Sequence, residues 1–224
     1  MAVTDEAIEK LKDMIVSGRL HPGQRLPREA DLAANLGLSR SSLREAVRAL
    51  SVMRILDVRQ GDGTYVSSLE PDSLLEVLSF IVEFHHDASV LELLEVRRIL
   101  EPAASARAAV RINDKTLTEL GEILDRTTSE SGVDHLVSAD IEFHRTIAGA
   151  AGNSVLASLI DSLSGPTQRA RIWRGVTQEG ALERTLAEHR AIYDAIRTHD
   201  PELARTWATV HVAGVEQWLR STLE

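Results

Sequence analysis

The stretch from Arg25 to Val66 reads RLPREADLAANLGLSRSSLREAVRALSVMRILDVRQGDGTYV. It predicts a short helix, a turn broken at Gly37, and a second helix capped at its N-terminus by Ser39. In that second helix the apolar residues recur at i, i+3, i+4 and i+7 and form one buried stripe. Two β-favouring runs, at residues 55–58 and 64–66, flank a Gly-rich turn and predict a hairpin. This order of elements predicts a winged helix-turn-helix.

The exposed face of the predicted second helix carries Arg40, Ser41, Ser42 and Arg44 in its first turns. A helix fits the major groove, where Arg pairs with guanine and Ser bonds to bases or phosphates. Residues 39–61 hold five Arg against two acidic residues, inside a chain of net charge −9. The alternative is an ordinary solvated helix pair whose charges serve solubility. The order of elements and the local positive charge favour DNA binding.

This region resembles the winged-helix domain of the GntR family of bacterial transcription regulators, over about residues 4–67. The resemblance rests on L-P before the first helix, S-R-x-x-L-R-E-A in the second and G-x-G-T-x-V in the hairpin. It implies that seven residues contact DNA: Arg28, Arg40, Ser41, Ser42, Arg44, Gln60 and Gly61. One position departs from the family, since Ala30 stands where many members carry a DNA-contacting Arg. Arg28 is the nearest substitute, in a shifted register.

The composition fits a protein of one large or two modest domains and excludes several classes. The chain has 224 residues, 43% of them hydrophobic, and no Cys, which excludes a disulfide framework and a thiol nucleophile. No apolar run reaches the length of a membrane span, and the acidic amphipathic N-terminus is unlike a signal peptide. We therefore expect a cytoplasmic protein. The resemblance to the GntR family implies that it is bacterial and reaches the nucleoid by binding its operator. Residues 1–70 are neutral and residues 71–224 carry the whole net charge of −9, so we expect DNA binding in the first part.

The linker-like run SSLEPDS at residues 67–73 places the domain boundary. We expect a DNA-binding domain at 1–70 and an effector-binding, dimerising domain at 71–224. Beyond the linker no hairpin signal appears, and the pattern predicts seven helices: about 72–85, 88–110, 114–129, 133–150, 153–175, 178–199 and 201–222. The expected fold class is mainly α, with a β-hairpin wing and a C-terminal antiparallel helical bundle.

Four polar residues interrupt the apolar stripes of these helices. Asp140 and His144 lie one turn apart, and His189 and His211 sit in the middle of two later stripes. One buried His is commonplace and needs only a hydrogen bond. Three His and one Asp that face the same core are costly to bury without partners. Imidazole and carboxylate are ligands for Zn²⁺, Mn²⁺, Ni²⁺ or Fe²⁺, so the pattern predicts a metal site.

The runs D-I-E-F-H and E-H-R-A-I-Y-D-A-I, followed by a His in the last helix, resemble the FCD effector domain of FadR-type GntR regulators. The resemblance spans about residues 72–222. It implies a divalent metal held by Asp140, His144, His189 and His211, zinc first, with a small carboxylate effector completing the shell. Arg97 is a candidate to hold that carboxylate, or else it pairs with Glu101 on a solvated face. Asn153 either bonds to the effector or caps the next helix.

These features lead us to expect a metabolite-responsive repressor. It binds a palindromic operator in double-stranded DNA as a homodimer, because paired recognition helices need paired half-sites. One rival is a metal-dependent enzyme acting on a small hydroxy acid, since an open metal position can activate water. No evident general base or catalytic motif supports that rival, so we expect a non-enzyme. A third alternative is a structural metal without an effector.

Overall fold

The computed structural model describes residues 3–69, 88–128 and 132–223. The chain forms two compact units, Met1–Leu74 and Leu75–Glu224. The boundary itself, the helix predicted at 72–85 and the residues His85 and His86 lie outside the described ranges. The division at 70/71 therefore remains a prediction.

The first unit contains three helices and a two-stranded sheet: α1 Val3–Val16, α2 Glu29–Leu36, α3 Arg40–Val52, β1 Leu56–Arg59 and β2 Gly63–Val66. Gly37 ends α2 with a left-handed φ of 65°, which lets the chain turn sharply into α3. The hydroxyl of Ser39 accepts a hydrogen bond from the backbone N–H of Ser42 at 3.1 Å and caps α3. Leu43, Ala46 and Leu50 are buried in the core.

The hairpin is antiparallel, with Leu56 opposite Val66 and Arg59 opposite Gly63. The turn between the strands carries Gly61, whose φ of 78° favours glycine. The expected winged helix-turn-helix is therefore confirmed, with strands that begin one residue away from the predicted runs.

The described part of the second unit is helical: α4 Ala88–Arg111, α5 Asp114–Asp125, α6 Val133–Ala150, α7 Ser154–Ser164, α8 Gln168–Thr177, α9 Ala181–Arg197 and α10 Pro201–Leu223. Helices α4 and α10 pack along each other, and α6 packs against α4. The mainly α fold class is confirmed. The single helix predicted at 153–175 is wrong, because residues 165–167 separate two helices there.

In the core of this unit, α4, α9 and α10 contribute several small residues. The buried set of this core includes Ala108, Ala109, Ala195, Ala204 and Ala208, around Phe143, Ile147 and Ile192. Small side chains let helix backbones approach closely. No helix among the described residues is long and apolar enough to cross a membrane.

Candidate metal centre and nucleic-acid interface

Three helices bring the predicted metal ligands together. Asp140 and His144 come from adjacent turns of α6, His189 from α9 and His211 from α10. All four side chains are buried, and one ligand atom from each lies within 4.8 Å of the others. The predicted residues therefore converge on one point inside the bundle, although they are up to 71 positions apart in the chain.

The inward atoms are the Nε2 of each His and the Oδ1 of Asp140. The Nε2 atoms of His144 and His211 are 3.1 Å apart. Oδ1 lies 3.3 Å from Nε2 of His189, 3.6 Å from that of His211 and 3.7 Å from that of His144. Zinc holds N and O ligands at about 2.0–2.2 Å, which places tetrahedral neighbours about 3.3–3.6 Å apart. The spacing fits a divalent ion.

His189 supplies a second observation in favour of an ion. Its Nε2 is buried and has no hydrogen-bond partner of good geometry among the described residues. Its ring stacks on Phe143 with centroids 4.5 Å apart. Burial lowers the pKa of His189 to about 3, so its imidazole is neutral at pH 7. A neutral, buried ring with an unused lone pair is the form that binds a metal.

Two carboxylates orient the other rings from behind. Glu101 lies 2.9 Å from Nδ1 of His144, and Glu188 accepts a hydrogen bond from Nδ1 of His211 at 2.9 Å. A carboxylate on Nδ1 fixes the ring and turns the Nε2 lone pair inward. Both Glu residues are buried. From the sequence, Glu101 was expected on a solvated face and Glu188 was given no role, because a Glu on a helix usually faces solvent.

Electrostatics around His211 differ from those at His189. Burial alone would lower the pKa of His211, but Asp140 and Glu188 outweigh it and raise that pKa to about 9. In the absence of an ion, the imidazole of His211 is therefore protonated at pH 7, and its N–H groups donate hydrogen bonds to neighbouring acceptors. Metal binding would release this proton, as is usual for metal sites.

Asp140 offers only one oxygen to the cluster. Its Oδ2 accepts a hydrogen bond from Nη1 of Arg171, which is buried on α8. Burial would raise the pKa of Asp140, but Arg171 and the three His outweigh it and hold that pKa well below its usual range. The ionised carboxylate presents Oδ1 to the cluster and Oδ2 to Arg171.

The two residues expected to bind an effector, Arg97 and Asn153, both make hydrogen bonds within the protein. Arg97 is buried rather than solvated, and its Nε donates to Oε1 of Glu101 at 2.5 Å. Its Nη1 donates to Oγ1 of Thr167 at 2.9 Å. Asn153 is exposed and accepts a hydrogen bond from the N–H of Leu156 at 3.1 Å, so it caps α7. The structure thus contains the ion pair of Arg97 with Glu101 and the helix cap by Asn153, which were the alternatives to effector binding.

A cavity adjoins the metal cluster and brings in residues that sequence reasoning missed. It is lined by Asp140 and His211, by Arg171 and Arg174 of α8, and by apolar side chains that include Leu182. Helix α8 was expected to continue α7, and no role was predicted for its arginines. The buried face of α8 instead carries two guanidinium groups to the side of the cluster.

The expected DNA-binding residues are spread over three exposed segments of the first unit. Arg40, Ser41 and Arg44 are exposed on the first turns of α3, and Ser42 is half-buried. Nε of Arg44 lies 2.5 Å from Oε1 of Glu29 on α2. Arg28 is exposed directly before α2. Gln60 and Gly61 are exposed at the tip of the hairpin.

Comparison with known proteins agrees with this arrangement. Residues 3–66 match the family described as bacterial regulatory proteins, gntR family, and residues 92–214 match the FCD domain. The galactonate operon transcriptional repressor of Escherichia coli (strain K12) is 30% identical over 97% of this chain and 96% of its own. The HTH-type transcriptional regulator LutR of Bacillus subtilis (strain 168) is 30% identical over 94% and 98%. Among solved structures, Streptococcus agalactiae GntR superposes with a TM-score of 0.70 at 30% identity, covering 96% of this chain and 99% of that one.

Proposed function

The chain belongs to the GntR family of bacterial regulatory proteins and carries an FCD domain, and from this premise we propose a metal-dependent, metabolite-responsive repressor. In this proposal the first unit binds a palindromic operator, and the second unit binds one divalent ion, zinc first, together with a small carboxylate effector. The protein acts as a homodimer in the bacterial cytoplasm. The family is one of transcriptional regulators, so the enzyme considered from the sequence is set aside.

One observation carries the metal part of the proposal. Three buried Nε2 atoms and one carboxylate oxygen converge at ligand spacing, and the Nε2 of His189 has no hydrogen-bond partner of good geometry among the described residues. Asp140, His144, His189 and His211 would hold the ion, which would supply a Lewis-acidic centre for an oxygen of the effector. Glu101 and Glu188 would keep two of the rings in register.

The operator part rests on the exposed first turns of α3. Arg40, Ser41, Ser42 and Arg44 would reach base edges or phosphates, with Gln60 and Gly61 of the wing and Arg28 beside them. A recognition helix reads one half-site, so two copies of the chain are needed for a palindrome. Light scattering on the protein bound to a selected operator should show two chains per DNA site.

The sign and the effector class come from similarity to a relative. The Escherichia coli relative is named as the repressor of the galactonate operon. Galactonate is a hydroxy acid, and hydroxy acids offer adjacent carboxylate and hydroxyl oxygens to a metal ion. We infer that this chain also represses, and that a hydroxy acid relieves the repression by binding one arrangement of the dimer more tightly than the other.

Metal uptake is the first test. Protein purified without chelator should contain about one divalent ion per chain, and chelation should lower its melting temperature, because an ion that binds only the folded state stabilises it. His211→Ala should abolish the uptake. His135→Ala is the matched control, since His135 is exposed on α6. No ion in the parent protein, and none on titration with Zn²⁺, would refute the metal site.

Coupling between the ion and DNA binding is the second test. Asp140→Asn keeps an oxygen for Arg171 but weakens the metal site, so operator affinity should persist while the response to hydroxy acids is lost. A coupling free energy of about 1–3 kcal/mol corresponds to roughly a 5- to 150-fold change in operator affinity in the parent. A full response in Asp140→Asn would place the effector away from the cluster.

A further inference from the structure

Arg174 has an unusual environment for a buried arginine. It lies on α8 and is only 3% exposed. Its Nε donates to Oε1 of Gln178 at 2.7 Å. Its Nη1 is buried and has no hydrogen-bond partner among the described residues. A buried donor on a charged group is costly to leave unpaired, so Nη1 can take a partner that the described residues do not provide.

The other buried arginines of this unit are occupied. Arg97 donates to Glu101 and Thr167. Arg171 donates to Asp140 and to the backbone oxygen of Ser164. Among the described residues, Arg174 therefore carries the buried guanidinium nitrogen that is left without an acceptor. In this respect Arg174 differs from Arg97, the residue that the sequence suggested for holding the effector carboxylate.

The position of Arg174 connects it to the metal cluster. Arg174 lines the cavity that Asp140 and His211 also line, and Leu182 and Val215 form part of its apolar wall. The cavity measures about 40 Å³, and about 10–15 Å³ already admits one water molecule. The cavity therefore has room for about three water molecules. The chemistry of its lining matches a small acid, with a polar end at the cluster, an apolar wall and a guanidinium that attracts an anion.

Glu188 does not serve as the hydrogen-bond partner of Nη1 of Arg174. Its negative charge favours the charged form of Arg174 more than that of Asp140 does, and its Oε2 accepts a hydrogen bond from Nδ1 of His211. Both Arg174 and Glu188 lie against Gly214 of α10, where Nη2, Nη1 and Oε1 would be 3.5 Å, 3.8 Å and 3.9 Å from an added Cβ. Glu188 is therefore close to the guanidinium, and Nη1 still has no hydrogen-bond partner among the described residues.

We propose that Arg174 is the second anchor of the effector site and that the effector is a hydroxy acid with an additional carboxylate, held by the metal ion at one end and by Nη1 of Arg174 at the other. This inference rests on the proposed function, because it takes the ion as the first anchor. It assigns the effector to a class with two separate anionic ends. A guanidinium favours carboxylates through charge-assisted hydrogen bonds.

The test compares acids that differ by one carboxylate. Glycolate, malate and 2-hydroxyglutarate share the same hydroxy-carboxylate end, and the last two add a second carboxylate at two distances. The full chain, loaded with one Zn²⁺, should bind malate or 2-hydroxyglutarate about 10- to 100-fold more tightly than glycolate in calorimetric titration. Arg174→Gln should lose this preference and keep the parent affinity for glycolate.

Controls separate this inference from the proposed function. Arg169→Gln removes the same charge from an exposed site of α8 and should keep the preference, and Arg174→Lys should keep part of it. Zinc content, measured first for each protein, shows that the cluster is intact. A parent without zinc refutes the proposed function and this inference together. A zinc-loaded parent with no preference, or an Arg174→Gln protein that keeps it, overturns the inference alone, and a water molecule is then the partner of Nη1.

Discussion

Two arginine–glutamate pairs in this chain have the same N–O distance and opposite surroundings. In the first unit, Nε of Arg44 lies 2.5 Å from Oε1 of Glu29, with side chains 65% and 40% exposed. In the second unit, Nε of Arg97 lies 2.5 Å from Oε1 of Glu101, with side chains 2% and 3% exposed. An exposed pair is worth little, because water and salt compete for both charges. A buried pair is costly to break, because the remaining charge has no water.

The difference matches what each unit is proposed to do. Arg44 must exchange its partner for DNA, so a weak, solvated contact suits it. Arg97 and Glu101 hold their neighbours in place, since the other oxygen of Glu101 lies 2.9 Å from Nδ1 of His144. The exposed pair is thus replaceable and the buried pair is structural.

The largest effect is expected from the buried pair. Glu101→Gln should lower the free energy of unfolding of the metal-free protein by about 3–5 kcal/mol, because it leaves Arg97 buried without a counter-charge. Urea unfolding followed by circular dichroism measures this loss. Glu95→Gln, at an exposed site of the same helix, should change stability by less than about 0.5 kcal/mol. If Glu101→Gln lowers the free energy of unfolding by less than about 1 kcal/mol, water solvates Arg97 in the variant. The buried pair would then be no more costly to break than the exposed pair.

The same contrast explains what the sequence predicted well. A helix-turn-helix depends on local signals, such as the cap at Ser39 and the turn at Gly37, and these lie within a few residues of what they control. The four candidate ligands were found because a polar side chain in an apolar stripe is conspicuous. Asp140, His189 and His211 satisfied that criterion without any knowledge of how the helices pack.

The sequence predicted the supporting residues poorly, because burial depends on packing between helices. In α10, the large hydrophobic residues Leu203 and Val210 fit an apolar helical stripe by type and spacing, yet each is 44% exposed. The buried face instead carries Ala204 and Ala208, whose small side chains allow close approach of a neighbouring helix. A prediction from residue type gives more weight to large hydrophobic side chains than to Ala. The predicted buried face of α10 is therefore rotated away from the observed one. The burial of Glu188 on α9 was not predicted either, because a criterion based on charge assigns a Glu to the solvent-exposed face.

An intermediate effect is expected at the exposed pair, and only in the presence of DNA. Arg44→Ala should lower operator affinity by about 1–3 kcal/mol, since it removes the bidentate base contact proposed for the first turns of α3. The operator is first selected from random DNA, and affinity for operator and for random DNA is then measured at fixed salt. Affinity for random DNA should fall much less, because bases are not read there.

Arg48→Ala is the matched control for this measurement. Arg48 is one turn further along α3, is exposed and pairs with Glu45. The N-terminal turns of a recognition helix contact the bases, so Arg48→Ala should weaken binding to both DNAs about equally. If Arg44→Ala behaves like Arg48→Ala, Arg44 contacts phosphate and the assignment of base reading moves to Arg40.

The smallest effect is expected when the acidic partner of the exposed pair is changed. Glu29→Gln should alter the free energy of unfolding by no more than about 1 kcal/mol, because a solvated ion pair contributes little. It also removes a negative charge beside Arg44, so affinity for random DNA should rise slightly at low salt. That rise should vanish at higher salt, since charges are screened over about 10 Å at 0.1 M.

Glu9→Gln removes the same charge from an exposed site of α1 in the same unit and controls for net charge. If Glu29→Gln and Glu9→Gln affect binding equally, Glu29 acts only through the overall field. If Glu29→Gln instead lowers operator affinity while Glu9→Gln does not, Glu29 holds Arg44 in its reading position. In that case the exposed pair also fixes geometry, and solvation alone does not separate the two pairs.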